Sequence, residues 1–234
     1  GFFVGKAMLS CVQNILYEGW ERMKYRCYLF DFDYTLANSE KGIVGCFHTT
    51  LQRLGYGDVP DEAIRRTIGL PMDEAIRRIA GIEEAAECER FLVSYRKEAD
   101  KEMTPNTHFY PETLPLLEKL RAAGAKTAII STKTRHRIME KFLAENVTHL
   151  LDFVIGCEDV ETFKPSPEGI LAACRRFGAA KPEVIYTGDN LVDAEAARAA
   201  GVDFAAVLTG TTERSVFEAL PHVKIMKNLG ELLD

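Results

Sequence analysis

The sequence predicts an α/β fold in which a parallel sheet carries helices on both faces and a small all-helical insert interrupts the chain after the first strand. Two observations carry this. From residue 111 onward helical and strand-like segments alternate strictly, the pattern of successive βαβ units. Between residues 37 and 103 only helical spacing occurs, and a run of helices alone reads as a separate subdomain. At 234 residues, 47% of them hydrophobic, the chain can bury a substantial core.

The first strand is Tyr25-Arg26-Cys27-Tyr28-Leu29-Phe30, an apolar and aromatic run of the kind buried in a sheet. It gives way to Asp31-Phe32-Asp33-Tyr34-Thr35-Leu36. Apolar residues at Ile43, Val44, Phe47, Leu51 and Leu54 then predict a helix over 39–54, stopped by Gly55-Tyr56-Gly57. Shorter helices are expected over 61–68, capped by Asp61 after Pro60, and over 73–80, with Gly69-Leu70-Pro71 breaking the chain between them. A longer charged helix over 83–103 has Phe91, Leu92 and Tyr95 as its apolar face. The alternating part follows, with helices over 112–123, 134–146, 167–177 and 192–200 and strands over 126–131, 153–156, 183–187 and 204–208.

A formal charge of −6 argues against nucleic acid or an anionic membrane surface as the main partner and leaves small anions as the better expectation. Cys11, Cys27, Cys46, Cys88, Cys157 and Cys174 form no CxxC pair and several sit in apolar runs, which suits reduced thiols in a cytoplasmic protein. No apolar run reaches the roughly 18 residues of a membrane span. Residues 1–22 read as an N-terminal extension, expected to form an amphipathic helix on the core. Phe2-Phe3-Val4 and residues 9–16 are apolar, but no basic region followed by an unbroken apolar run and a small-residue cleavage site is present, so a signal peptide is not expected.

In a sheet of this class, polar residues following the strands converge on one edge, where such folds bind ligands. Asp31 and Asp33 follow the first strand, alternation pointing both one way. Ser131-Thr132-Lys133, Lys164-Pro165 and Gly188-Asp189-Asn190 with Asp193 follow the others. Two crowded carboxylates need a cation or a shared proton. Asp31, Asp33 and Asp189 offer the hard oxygen ligands that suit Mg²⁺ beside a phosphate. Ser131 and Lys164 can hold the other phosphate oxygens. One aspartate can then act as nucleophile and its neighbour as acid and base. Each later residue has a plainer reading alone: Ser131-Thr132 as a helix cap, Lys164 as a loop lysine, Asp193 as a first-turn acid. Their joint arrival at four strand ends favours the chemical one.

In this order, Asp31-Phe32-Asp33-Tyr34-Thr35-Leu36, Ser131, Lys164-Pro165 and Gly188-Asp189-Asn190-Leu191-Val192-Asp193 resemble the four motifs of the haloacid dehalogenase-like superfamily. The resemblance implies a Rossmann-like core over 23–37 and 104–234. The segment 38–103 is similar to the helical cap of the phosphoglycolate phosphatase-like branch. It implies a Mg²⁺-dependent phosphatase acting on a small phosphorylated metabolite, with Asp31 as nucleophile and metal ligand. Asp33 would be the acid/base, its backbone carbonyl meeting the metal. Asp189 would bind the metal, and Asp193 would support its water shell. Ser131 and Lys164 would hold phosphate, with Thr132 and Asn190 as second contacts. Gly69, Leu70 and Pro71 match the cap loop that helps select substrate, and Arg65, Arg66, Arg77 and Arg78 flank it as candidates for an anionic leaving group.

One residue departs from the pattern: Tyr34 stands where the family usually has glycine. Either its φ stays negative or it is accommodated with strain, and its ring is a candidate for narrowing the leaving-group pocket. Three other readings remain. A β-phosphoglucomutase-like phosphotransferase is disfavoured because Ile43 stands where those enzymes carry histidine. A pyrophosphatase would share the core. A catalytically silent binding protein has no chemical need for clustered acids. The oligomeric state and the substrate are left open.

Overall fold

The computed structural model describes residues 23–234; the expectation for residues 1–22 lies outside them. In chain order, β1 (Cys27–Phe30) leads through the Asp31 loop to the two-residue strand β2 (Ala37–Asn38). The helices α1 (Glu40–Leu54), α2 (Asp61–Arg65), α3 (Met72–Ala80) and α4 (Ala85–Glu102) follow. β3 (His108–Phe109) brings the chain back to α5 (Thr113–Ala122), β4 (Lys126–Ile130), α6 (Arg135–Ala144), β5 (Phe153–Ile155) and α7 (Glu168–Phe177). Then come β6 (Val184–Gly188), α8 (Leu191–Ala200), β7 (Asp203–Val207), α9 (Arg214–Glu218) and β8 (Lys224–Met226).

Six strands form one parallel sheet in the order β5-β4-β1-β6-β7-β8, so the first strand lies inside it with neighbours on both sides. A strand with both edges paired and both faces covered must be apolar throughout, which is why β1 has no polar alternation. Its side chains divide between two cores. Tyr28 and Phe30 join Leu117, Ile129 and Phe142 on one face, and Cys27 and Leu29 join Ile170, Tyr186 and Phe204 on the other. The small residues Ala194, Ala197 and Ala200 of α8 are fully buried there and let that helix lie close against the sheet.

The helices α1 to α4 enclose a third core of their own, with Phe47, Ile64, Ile76 and Phe91 among its most buried members. The chain enters and leaves this lobe through an antiparallel ribbon in which Ala37 pairs with Phe109 and Asn38 with His108. Two-residue strands are too short to leave an alternating pattern, so the sequence suggested no strand there. β8 and α9 were unforeseen for a similar reason, being three and five residues long. The remaining elements depart from expectation at their ends, chiefly because turn residues such as Ser131 and Gly156 lie just beyond the last ladder position.

Candidate active site

Register brings the polar strand ends together. Phe30 lies level with Ile129 and with Thr187, and Ile130 with Ile155. Asp31, Ser131 and Asp189 therefore emerge side by side, tied by backbone hydrogen bonds from Asp31 N to Thr187 O and from Ser131 N to Ile155 O.

The deepest part of the site is a dry cluster of charge. Asp31, Asp189 and Asp193 are at most 3% exposed, and each offers a carboxylate oxygen within 4.8 Å of the others. Lys164 reaches into this cluster from the loop after β5, its Nζ donating to Asp193 Oδ1 at 2.6 Å and to the Tyr186 hydroxyl at 3.2 Å. It also lies 3.0 Å from Asp31 Oδ1, but without hydrogen-bond alignment, so that oxygen is buried and unsatisfied. Gly188 and Gly210 make the crowding possible, since a Cβ on either would overlap the Asp193 or the Asp189 side chain. Thr35 Oγ1 donates to Asp189 Oδ1 at 3.0 Å.

One ammonium cannot balance three buried carboxylates. Burial pushes the Asp31 carboxyl up to about 6, helped by the negative charges of Asp193 and Asp33 and opposed by Lys164. Asp189 is also raised well above the ordinary aspartate range, by burial first and then by Asp193 and Asp31. Burial pulls the Lys164 ammonium down, yet Asp193 and Asp31 outweigh it and the net direction is upward, so Lys164 stays charged. Three clustered hard oxygens, one of them orphaned, fit a divalent cation, which would relieve the repulsion directly. The fourth expected carboxylate lies elsewhere.

Asp33 is turned away from that cluster, and this corrects the expectation of an Asp31, Asp33 and Asp189 set. Its Oδ1 accepts from Ser39 Oγ at 2.5 Å, and Lys133 Nζ donates to its two oxygens at 2.8 and 3.1 Å. Lys133 is almost fully buried, packed over the Phe32 ring and 3.8 Å from Met103 Sδ. Asp31 and Asp33 thus sit beside different lysines, because the chain turns immediately after Asp33 and the ideal alternation of a strand ends there. Lys133 is the main residue missed from the sequence; its signal was its place in the Ser131-Thr132-Lys133 run.

Ser131 is buried at the mouth and its Oγ accepts from Lys133 N at 3.3 Å, while the cap position of α6 belongs to Thr134. Thr132 Oγ1 donates to Gly69 O at 3.0 Å, so the lobe's loop rests directly on the core. Gly69 has φ 96°, open to glycine alone without strain, and the Asn190 side chain lies alongside it. Asn190 also caps α8, accepting from Val192 N at 3.4 Å. Leu70 faces a cavity of about 160 Å³ between Asp33 and the lobe, whereas Pro71 only precedes α3.

Two further expectations are corrected. Arg77 and Arg78 each pair with a carboxylate on their own helix, Asp73 and Glu74, Arg66 just past α2 pairs with Glu62, and Arg65 Nε donates to Glu40 at 2.7 Å. None of the four faces the cavity. Tyr34 does take a left-handed backbone, φ 59°, but its ring is not among the cavity's walls. It is buried in the lobe's core and its hydroxyl donates to Glu40 Oε2 at 2.7 Å, so a chain of Tyr34, Glu40 and Arg65 stitches the catalytic-side loop to α1 and α2. That bonding and packing offset a left-handed tyrosine, which costs about 1–2 kcal/mol.

Residues 28–207 match the family model of the haloacid dehalogenase-like hydrolases. The chain belongs to this family. The crystal structure of a haloacid dehalogenase-like hydrolase from Bacteroides fragilis is 46% identical and superposes with a TM-score of 0.86 over 89% of this chain and 100% of that one. A phosphoglycolate phosphatase of Nitrosospira multiformis is 28% identical, covering 81% of this chain and 86% of its own. The pyrophosphatase PpaX of Halalkalibacterium halodurans is 26% identical, covering 91% and 97%. Within the family the chain is a phosphatase of the phosphoglycolate phosphatase-like branch.

Proposed function

We propose that this haloacid dehalogenase-like phosphatase hydrolyses a small phosphomonoester through an aspartyl-phosphate on Asp31, with Mg²⁺ as cofactor. Phosphoglycolate, the substrate named for the Nitrosospira multiformis relative, is one candidate. The observation that carries the reading is the unsatisfied Oδ1 of Asp31, buried beside Lys164, Asp189 and Asp193.

The Asp31 carboxylate attacks phosphorus, an O–P bond forms, and the bond to the leaving oxygen breaks. Lys164 and Ser131 hold the equatorial phosphate oxygens, with Thr132 and Asn190 as further contacts, and stabilise the charge that spreads over them. Asp33 gives its proton to the leaving oxygen. It then takes a proton from the water that attacks the aspartyl-phosphate, so the Asp31 O–P bond breaks and inorganic phosphate leaves. Asp31, Asp189 and the backbone carbonyl of Asp33 would hold Mg²⁺, with Asp193 behind its water shell. The ion supplies positive charge that offsets repulsion between Asp31 and the incoming phosphate. Gly69 and Leu70 lie on the leaving-group side.

The PpaX relative supports one second reading, a pyrophosphatase on the same machinery. The β-phosphoglucomutase-like and silent-binder alternatives have no comparable support. A cytoplasmic setting suits the free thiols of Cys27, Cys46, Cys88, Cys157 and Cys174, and among the described residues no helix is long and apolar enough to cross a membrane. The test is Mg²⁺-dependent release of phosphate from p-nitrophenyl phosphate, phosphoglycolate, pyrophosphate and a sugar phosphate panel, with Asp31→Asn as control. Turnover no higher than that control on every substrate would remove the proposal.

A further inference from the structure

We infer that the leaving group this site prefers is uncharged and largely apolar, about the size of a benzene ring. The inference rests on the phosphatase reading above and narrows its substrate class. On the proposed mechanism the leaving group lies in the cavity that Asp33, the proposed acid, helps to wall. Across from it the walls are mostly aliphatic and aromatic, including Ile43, Phe47, Leu70, Leu92, Tyr95 and Met103. With the Gly69 loop resting on Thr132, the cavity measures about 160 Å³. An apolar cavity of about 150 Å³ is known to hold one benzene molecule.

The charged groups around the cavity point the same way. Lys133 is held by both oxygens of Asp33, and Arg137 pairs with Asp100 and Glu140. Arg96 also lines the cavity, but it is exposed, and a pairing at an exposed position contributes little. Arg65, Arg66, Arg77 and Arg78 are engaged elsewhere. The hydroxyl of Thr67 donates to Ile64 O. The carboxylate of phosphoglycolate or the second phosphate of pyrophosphate would therefore enter a pocket whose inner cations are already paired, and a buried anion without a partner is strongly disfavoured. An apolar group meets matching surface on the Ile43, Phe47, Leu70, Leu92 and Met103 side.

The test compares three substrates on one enzyme preparation with Mg²⁺: benzyl phosphate, 2-phosphoglycolate and pyrophosphate. Benzyl phosphate and phosphoglycolate are both primary alkyl esters, so they differ mainly in what fills the cavity. The expected result is kcat/KM for benzyl phosphate about tenfold or more above either acidic substrate. A ratio at or below one overturns the inference. Leu92→Lys, which puts a cation on the half-buried wall of α4, should shift the benzyl to phosphoglycolate ratio toward phosphoglycolate by about tenfold; an unchanged ratio also overturns it. Because a ratio is independent of the fraction of folded enzyme, poor folding of the variant does not blur the outcome. Asp31-dependent turnover with an acidic preference defeats this inference and leaves the phosphatase reading standing. Turnover at the Asp31→Asn level on all three defeats both.

Discussion

The pit around Asp31 and the lobe above it use charge in opposite ways. In the pit, Lys164 pairs with two of three carboxyl groups that are nearly or wholly sealed from water, so buried acids outnumber the buried cation beside them. In the lobe, arginines are matched to acids at or near the surface of the helices, as in the pairs Arg77 with Asp73 and Arg78 with Glu74. Surface pairs of that kind contribute little to stability, about 0–1 kcal/mol each, whereas an imbalance in the pit is costly and chemically useful. On the proposed function, the difference separates recognition of the phosphate from recognition of the rest of the substrate, with the boundary at Asp33 and Lys133.

The largest effect that would break this contrast is loss of Asp31, the proposed nucleophile. Asp31→Asn should lower kcat by about a thousandfold or more, measured by phosphate release under saturating substrate. Close behind is Lys164→Met, expected to abolish turnover and, in metal-free protein, to cost about 3–5 kcal/mol in urea unfolding as the carboxylates lose their only buried cation among the described residues. Added Mg²⁺ should recover part of that stability. A variant as stable as the parent without metal would show that the pit is less dry than its geometry implies.

At the boundary, Lys133→Met should lower kcat/KM for benzyl phosphate by about 10- to 100-fold, because Asp33 loses the group that aims it at the leaving oxygen. On p-nitrophenyl phosphate, whose leaving group needs little protonation, the loss should stay within about threefold. Equal losses on both would assign Lys133 a structural role only.

The pit also predicts a pH signature. The Asp31 carboxyl is raised to about 6, so between the ordinary aspartate range and that value the folded chain keeps a proton that the unfolded chain has released. The contribution of Asp31 to stability is therefore greatest below that window and falls as pH rises through it. Divalent metal needs the carboxylate form. The Mg²⁺-induced rise in Tm should thus be larger at pH 7 than at pH 5, and an equal rise at both would argue against Asp31 as a ligand. The smallest expected effect lies where the two regions are stitched together: Tyr34→Phe should cost about 0.5–1.5 kcal/mol in urea unfolding and leave the substrate ranking unchanged.

Much of the core was legible because its signals are local and periodic: the apolar run of β1, the strand and helix alternation, and acids placed just after strands. The directions of side chains after the strand ends were not. Asp31 and Asp33 look equivalent by alternation, and only the turn following Asp33 separates them. Lys133 was passed over because a lysine near a strand end is ordinary until a particular carboxylate is found within its reach. The arginines of the lobe misled for the converse reason, since i,i+4 acids satisfied them first. Tyr34 was recognised as a departure from the family pattern, but its partner Glu40 and the link to Arg65 depend on how the lobe folds back.

The ribbon of Ala37 and Asn38 with Phe109 and His108 has a consequence for how such a chain can change size. It fixes the two ends of a long excursion next to each other, so the entropy of closing that excursion grows only with the logarithm of its length, about 0.6 kcal/mol for each doubling. Helices can then be added to or removed from the lobe with little penalty to the sheet, provided the lobe keeps a core of its own. The strand ends that carry Asp31, Ser131 and Asp189 stay in register while the lobe is free to vary.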